Sequence, residues 1–377
     1  MFKKIIAAGA VALFFACTSN DNPPPPSPGG GIEDPSSSSK QEESKTPVSY
    51  YGKLKVRQGT PYLDGSKKGS EVQLRGVSFG WSNLEPARFY EAVSVKRIVE
   101  DWKAEIVRAA YGTTSTQFIS NTAKDNRERV ERVVDAAIEN GIYVIIDFHS
   151  HNAHNEVQQS KDFFEYMAEK YGSYDNVIFE IFNEPVCRAS SATNCAASDR
   201  INWAEIKSYA EQIIPVIRAH SNNLILVGTP QWSQRIQDVA SNKLNDENVG
   251  YVLHFYSASH PLSNWRSVIE NALNSGVPIF VTEYGTTHSD GGQNNNYNTH
   301  NADRTDEWHS FMDEKKISSA AWQINDKYEG SAFFGIQDAR GKFDLNGDWA
   351  DQSKMTESGK YIFNKLNGYS QNAPWRK

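Results

Sequence analysis

The stretch VIFEIFNEP, residues 177 to 185, is a short apolar run that turns polar at its end. Runs of this length that are rich in β-branched and aromatic residues predict a buried β-strand. Pro185 favours an end of the strand there, because proline cannot donate to a sheet ladder. The sequence therefore predicts a buried strand that presents Asn183 and Glu184 at its carboxyl end.

Seven further segments have the same character and alternate with stretches of helical period. Strands are predicted at 72–77, 106–110, 143–148, 177–182, 224–227, 249–255, 278–282 and 319–323, with helices at 126–140, 161–170, 201–220, 265–274 and 303–314. Alternation of this kind is typical of βα units. Eight units predict an α/β fold, a single (β/α)8 TIM barrel. No glycine-rich phosphate motif follows the first strand, which argues against a dinucleotide-binding sheet.

Polar residues collect where six of the eight predicted strands end. They are Arg108 on the second strand, Asp147 and His149 on the third, Asn183 and Glu184 on the fourth, His254 and Tyr256 on the sixth, Glu283 on the seventh and Trp322 on the eighth. Chemistry in such barrels sits at the carboxyl ends of the strands. These residues are therefore the candidate active site.

Glu184 and Glu283 end strands four and seven, which lie on opposite sides of a closed eight-stranded barrel. Facing carboxylates about 5 to 5.5 Å apart are what retaining glycoside hydrolysis requires. Their surroundings must hold different charges on the two groups. We expect Arg108 and Tyr256 to favour the ionised form of Glu283, and a dry aromatic setting to keep Glu184 protonated.

The strand-end motifs resemble those of glycoside hydrolase family 5, the family of many bacterial endoglucanases. The matching segments, in chain order, are VRAA at 107–110, IDFH at 146–149, NEP at 183–185, HFY at 254–256, VTEYG at 281–285 and AW at 321–322. The resemblance implies Glu184 as acid/base, Glu283 as nucleophile and Asn183 as partner of the sugar 2-hydroxyl. It also implies support from Arg108, His149, His254 and Tyr256, and a sugar platform at Trp322.

Four more residues resemble sugar ligands of the endoglucanase branch of that family: Trp81, Trp232, Lys327 and Glu329. Pyranose rings lie on tryptophan faces, although a tryptophan is as often core filling. Two features depart from the branch. Tyr284 stands where a tryptophan often follows the nucleophile, and the first loop, 82–86, lacks the usual histidine.

The expected activity is an endo-β-1,4-glucanase, a cellulase that acts with retention on a β-glucan polysaccharide. Mannan, xyloglucan and mixed-linkage glucan remain alternative substrates on the same machinery. A surface glycan-binding lipoprotein is the non-enzymatic alternative, although such a protein would be expected to lose one of the two glutamates. A metal-dependent hydrolase is another alternative, because His149, His151 and His154 lie close together in the sequence. No carboxylate or histidine at a helical i, i+4 position completes a metal site, however.

The composition of the amino-terminal region predicts a targeting signal followed by a tether. Residues 1–17 have the layout of a signal peptide, and the segment ending at Cys17 resembles a lipobox, which makes Cys17 the expected lipidation site. Residues 18–47 form a Pro/Ser-rich linker that we expect to be disordered, and 48–377 the catalytic domain. An ordinary signal peptide with an incidental cysteine is the alternative.

Charge and cysteine usage complete the expectations. The net charge is −7 without a basic stripe, so nucleic acid is an unexpected partner. Cys187 and Cys195 are close in the chain of an exported protein, which predicts a disulfide. We expect no cofactor and no metal. We also expect a monomer, exported and tethered to the bacterial cell envelope by lipid, or otherwise periplasmic or secreted.

Overall fold

Eight parallel strands close into a barrel in the computed structural model, which describes residues 45–113, 123–189, 194–292, 299–335 and 342–376. The barrel strands are β3 (Arg75–Phe79), β4 (Ile106–Gly112), β5 (Tyr143–His149), β6 (Val177–Glu180), β7 (Ile225–Val227), β8 (Val249–Tyr256), β9 (Ile279–Gly285) and β10 (Ser318–Ile324), and an antiparallel pair, β1 (Leu54–Val56) and β2 (Leu63–Gly65), precedes them. Each barrel strand pairs with its sequence neighbour, and β10 pairs with β3 to close the ring.

Helices surround the barrel. They are α1 (Pro47–Tyr51), α2 (Ala92–Glu100), α3 (Ala123–Glu139), α4 (Val157–Tyr171), α5 (Trp203–Arg218), the one-turn α6 (Pro230–Ser233), α7 (Arg266–Asn274), α8 (Ala302–Lys315) and α9 (Glu357–Ser370). Their apolar faces pack on the outward side chains of the strands, such as Val107, Val144 and Val281. This layer is the main hydrophobic core.

A second apolar cluster fills the interior of the barrel towards its amino-terminal end. Strand side chains that point inward form it, among them Ile145, Ile178 and Phe280, and α1 and the β1–β2 pair cover it from below. Side chains along a strand alternate between inside and outside. Inward residues further along the strands therefore stand on this apolar floor and face the mouth.

The alternation is broken at one point in β9. Phe280 and Thr282 point inward and Val281 outward, but Glu283 also points inward and Tyr284 outward. The pairing of β9 shifts register against both of its neighbours there. This irregularity is a bulge, a device that re-aims side chains next to functional sites. It stacks two consecutive polar residues in the interior.

The predicted barrel is confirmed, and all eight predicted strands are present. The first strand begins at Arg75 rather than Val72, because Val72 and Leu74 belong to the cluster that closes the bottom. Residues 43–377 form one compact unit. The signal segment, Cys17 and the linker up to residue 44 lie outside the described residues. Within the described ranges, no helix is both long and apolar enough to cross a membrane.

Candidate active site

A cleft of about 640 Å³ opens at the carboxyl ends of the strands. Sequence-predicted residues in its lining are Trp81, His149, Asn183, Glu184, Tyr256, Glu283, Trp322, Lys327 and Glu329. Leu84, Glu85 and Pro86 of the first loop line it too. The structure thus brings residues from six separate strand ends to one cavity, as barrel enzymes do.

Glu283 is held by two donors. Arg108 Nη1 donates to Oε2 at 3.2 Å, and the hydroxyl of Tyr256 donates to Oε1 at 2.8 Å. Burial and the nearby charge of Glu283 raise the pKa of Tyr256 well above its usual range, so the phenol keeps its proton. A guanidinium and a hydroxyl therefore stabilise the carboxylate charge of Glu283.

Glu184 lies between two imidazoles. Nδ1 of His254 is 2.8 Å from Oε1, and Nε2 of His151 is 3.1 Å from Oε2. Burial raises the pKa of Glu184, but the bonds with His151 and His254 outweigh it and lower the pKa below its usual value. Burial lowers the pKa of His254, yet its bond with Glu184 raises it overall.

The setting of Glu184 therefore differs from the expected dry aromatic one. The aromatic rings pack around His149 and His151, and the carboxylate itself contacts ring nitrogens. Because Glu184 and His254 are in direct contact, the protonation of each depends on that of the other.

The two glutamates approach closely. One oxygen of Glu184, one of Glu283 and a ring nitrogen of His254 all lie within 4.8 Å of one another. Oxygens this close fit the retaining class, in which the two carboxyl groups lie about 5 to 5.5 Å apart. Ligand atoms at this distance would also suit a metal ion, but each side chain already has a hydrogen-bond partner here.

The three histidines of the alternative metal site are directed to different partners. His149 Nδ1 meets Asp147 Oδ2 at 2.6 Å, His151 meets Glu184, and His154 Nε2 meets the carbonyl of Arg188 at 2.9 Å. They do not converge on one point, as the ligands of a bound ion must.

Arg108 is the centre of the site's interior. It is fully buried, and its Nε and Nη2 donate to the two oxygens of Glu180 at 2.8 and 3.0 Å. Nη2 also reaches Asn183 Oδ1 at 2.7 Å and Asp147 Oδ2 at 2.9 Å. A buried cation requires such partners. Because β6 ends at Glu180, Asn183 and Glu184 lie beyond the strand and both reach the cleft.

Aromatic rings form one wall. Trp322 stacks on His149 with ring centroids 5.4 Å apart, and Trp81 meets the same imidazole edge-on at 4.3 Å. Burial lowers the pKa of His149 well below its usual value, so the ring is neutral. Burial raises the pKa of its partner Asp147 to about 7, against the opposing charge of Arg108.

Lys327 and Glu329 both line the cleft, and Lys327 Nζ is 3.1 Å from Glu329 Oε2. Gln323 Nε2 donates to Glu329 Oε1 at 2.6 Å. Trp232 does not belong to this lining. It lies half-buried in the one-turn α6, where its φ is positive; Arg200 lies over its ring, and its backbone N–H donates to Pro185 O.

Tyr284 points away from the cleft. Its ring stacks on Phe255, and its hydroxyl meets His309 Nε2 at 3.0 Å in the layer between barrel and helices. The departure from tryptophan at this position therefore does not alter the lining of the cleft. Cys187 and Cys195 form a disulfide beside the Glu184 loop.

Three further residues of the site, His151, Glu180 and Thr282, were not predicted to belong to it, and Asp147 was predicted only as a strand-end residue without a role. Asp147 and Glu180 both lie on barrel strands. Each lies two positions along its strand from an inward residue, and that spacing would have placed it on the same face. Thr282 also follows this rule, since it lies two positions after the inward Phe280, and His151 lies in a loop.

Comparison with known proteins gives a consistent match. The family model described as "Cellulase (glycosyl hydrolase family 5)" matches residues 66–328. Endoglucanase Z of Dickeya dadantii is 40% identical over 291 residues, 76% of this chain and 61% of its own. Endoglucanase A of Butyrivibrio fibrisolvens is 31% identical over 85% of this chain and 70% of its own. The chain thus spans less than two thirds of the length of several curated relatives that it matches.

Solved structures agree in fold. The catalytic domain of Thermobifida fusca endoglucanase Cel5A superposes with a TM-score of 0.72 and 30% identity, covering 85% of this chain and 99% of that domain. A structure from Cytophaga hutchinsonii superposes with a TM-score of 0.75 and 36% identity, covering 87% of this chain and 98% of its own.

Proposed function

The chain belongs to the cellulase family, glycosyl hydrolase family 5, and we propose that it is an endo-β-1,4-glucanase that cleaves internal bonds of β-glucan with retention. The observation that carries the proposal is the approach of Glu184 and Glu283 to within 4.8 Å. At this spacing one carboxylate reaches the anomeric carbon directly, without room for an intervening water.

Glu283 is the nucleophile in this proposal. Arg108 and Tyr256 donate hydrogen bonds to its carboxylate and fix its orientation, so that one oxygen attacks the anomeric carbon and a glycosyl-enzyme forms. Asn183, which is oriented by its bond with Arg108, is the partner of the 2-hydroxyl.

Glu184 is the acid/base. The proton that it gives to the leaving oxygen comes from the pair that it forms with His254, and it then takes a proton from water in the second step. His149, neutral and stacked on Trp322, fixes the platform for the attacked sugar.

The substrate proposal rests on the lining and on relatives. Trp81, Trp322, Lys327 and Glu329 give flat apolar faces and polar edges to the cleft, whereas Trp232 lies outside its lining. Matched relatives are endoglucanases, and one Thermobifida fusca structure is a complex with cellotetraose. Mannan, xyloglucan and mixed-linkage glucan remain candidates for the same machinery.

The test compares carboxymethylcellulose, glucomannan, xyloglucan and lichenan, with product length analysed on each. We expect carboxymethylcellulose to lose viscosity much faster than it gains reducing ends, and short-chain analysis by NMR to show a β-anomer first. If viscosity falls no faster than reducing ends appear, or if glucomannan is the preferred substrate, the substrate proposal must change. An α-anomer as first product would reject retention, and an inactive protein that still binds glucan would favour the glycan-binding alternative.

Export and anchoring are part of the proposal. A signal at 1–17, a lipid on Cys17 and a linker at 18–47 would place the catalytic domain, 48–377, at the cell envelope as a monomer. The sequence of this segment supports the proposal, and its test is given below.

A further inference from the structure

A continuous chain of hydrogen bonds runs beneath the two glutamates. It connects Glu283 to Arg108 (3.2 Å), Arg108 to Glu180 (2.8 Å), Glu180 to Thr282 (2.9 Å), Thr282 to His254 (2.8 Å) and His254 to Glu184 (2.8 Å). Arg108, Glu180, Thr282 and His254, here called the buried chain, are at most 1% exposed.

The direction of each bond follows from the proton count. Arg108 donates to both oxygens of Glu180, which are therefore acceptors. The single hydroxyl proton of Thr282 goes to Glu180 Oε1, which leaves only the lone pairs of the Thr282 oxygen for His254. Nε2 of His254 must therefore carry a proton, because two acceptors cannot bond each other.

A fixed proton on Nε2 decides what the other ring nitrogen can do. Nδ1 faces Glu184 Oε1 and is then the position at which a proton moves between ring and carboxylate. The neutral ring of His254 can accept the proton of Glu184 at Nδ1, and the resulting imidazolium can return that proton to Glu184. With the opposite tautomer, Nδ1–H would donate to an ionised Glu184 that has no proton to give.

We propose that Thr282 is a positioning residue: on the proposed hydrolase function, its hydroxyl holds the Nε2 proton of His254 and so keeps the transferable proton between His254 and Glu184. The bulge of β9 is what makes this possible, since it turns Thr282 and Glu283 to the same side. One strand end thereby supplies the nucleophile and, beneath it, the group that orients the proton of the opposing acid.

The other charged groups around His254 and Glu184 set the background of any pH effect. The charged groups that act on the imidazole are Glu180, Glu184, Glu283, Arg108 and Asp147, and His151 contacts Glu184 from the opposite side. Thr282→Val changes none of these charges. It removes the hydrogen bond that Thr282 donates to Glu180 Oε1, and it removes the acceptor of Nε2–H. An acceptor at Nε2–H stabilises the imidazolium more than the neutral ring.

The test compares Thr282→Val with Thr282→Ser, which keeps the hydroxyl, and with Thr286→Val. Thr286 is a matched control, because its buried hydroxyl lies just beyond β9 and bonds Ser358 instead of the site. Each is assayed on a cello-oligosaccharide, whose leaving group needs a proton, and on an aryl cellobioside whose leaving group does not.

Thr282→Val should lose about tenfold or more in kcat/KM on the oligosaccharide and distinctly less on the aryl glycoside. The basic limb of its kcat/KM profile against pH should move to lower pH, because the Glu184–His254 pair then loses its proton more easily. Thr282→Ser and Thr286→Val should keep the wild-type selectivity between the two substrates. Equal losses on both substrates in Thr282→Val, or a serine variant that is as impaired as the valine variant, would overturn the inference.

A measurement on the wild type covers the case in which Thr282→Val does not fold. In ¹⁵N-histidine spectra, His254, identified with His254→Gln, should show a protonated Nε2 throughout the active pH range. An unprotonated Nε2 would reject the inference. If the wild type hydrolyses no β-glucan but Nε2 is protonated as expected, the proposed function has failed while the proton placement stands.

Discussion

Three glutamates in the site have different tasks because their contacts differ. Glu180 is fully buried, and both of its oxygens accept hydrogen bonds from the guanidinium of Arg108. Glu283 contacts the same guanidinium and also accepts from the Tyr256 hydroxyl. The side chain of Glu184 contacts only imidazole rings. Burial raises the pKa of Glu180 despite Arg108. The proposed roles of nucleophile, acid/base and scaffold therefore follow the position in the barrel rather than the residue type.

The division of roles predicts opposite stereochemical results for two alanine variants. Glu184→Ala should lose about 10²- to 10⁴-fold on polymer, yet form the glycosyl-enzyme rapidly from an aryl cellobioside. Added azide should then rescue turnover and give the β-azide, because a small anion needs no general base. Glu283→Ala should give the α-azide by direct displacement. NMR of the products decides, and the same anomer from both variants would show that the roles are misassigned.

His151 provides a pH prediction. Its bond is one of the two that lower the pKa of Glu184, so its removal should raise that pKa and let the acid keep its proton to higher pH. His151→Phe keeps a ring beside Trp81 and removes the donor. We expect the basic limb of the kcat/KM profile to move to higher pH. His154→Phe is the control, because His154 contacts the Arg188 carbonyl instead. No movement, or movement to lower pH, contradicts this account.

At the scale of elements, strand periodicity and strand ends could be predicted, but the register between strands could not. Apolar runs such as 143–148 predict a strand, and the polar residues that follow them predict which end of the barrel carries the cleft. The bulge of β9 depends on how β8 and β10 pair with it, which no local pattern in 278–282 reveals. Helices α2 and α9 were also not predicted.

The lower ends of β3, β4 and β5 meet at Glu105, which gives a stability prediction. Its Oε2 accepts from the backbone N–H of Arg75, and its carbonyl accepts from that of Tyr143. Burial raises the pKa of Glu105 from 4.5 to about 7, although Arg75 opposes this. The folded protein therefore binds more protons than the unfolded chain between those values, and its stability falls as pH rises through them.

Glu105→Gln should remove this fall, which amounts to at most about 3 kcal/mol, while keeping a side-chain acceptor for Arg75. Urea unfolding at several pH values measures it. Glu100→Gln is the control, because the Lys96 ion pair lowers the pKa of Glu100 and confines its effect to more acidic solution. Parallel pH curves for wild type and Glu105→Gln would contradict the assignment.

At the scale of the whole molecule, the described residues begin at Lys45, inside the proposed linker of residues 18–47. Thr46 caps α1, and Val48 N–H donates to Gly141 O, so the chain is fixed to the barrel from that point. Residues 18–44 have a composition with almost nothing to bury, which makes them suitable as a spacer between an anchor and a cleft that must reach a polymer.

The anchoring proposal makes the last prediction. A diacylated Cys17 should hold the enzyme in the membrane fraction, because two acyl chains bind a bilayer stably whereas one does so only marginally. Cys17→Ser should therefore move carboxymethylcellulase activity to the soluble fraction with kcat unchanged, since the residue is remote in sequence from the barrel. Thr18→Ala is the control and should stay with the membrane. Mass spectrometry of the amino-terminal peptide should show the added lipid in the control alone, and identical fractionation of the two variants would mean that Cys17 is not the anchor.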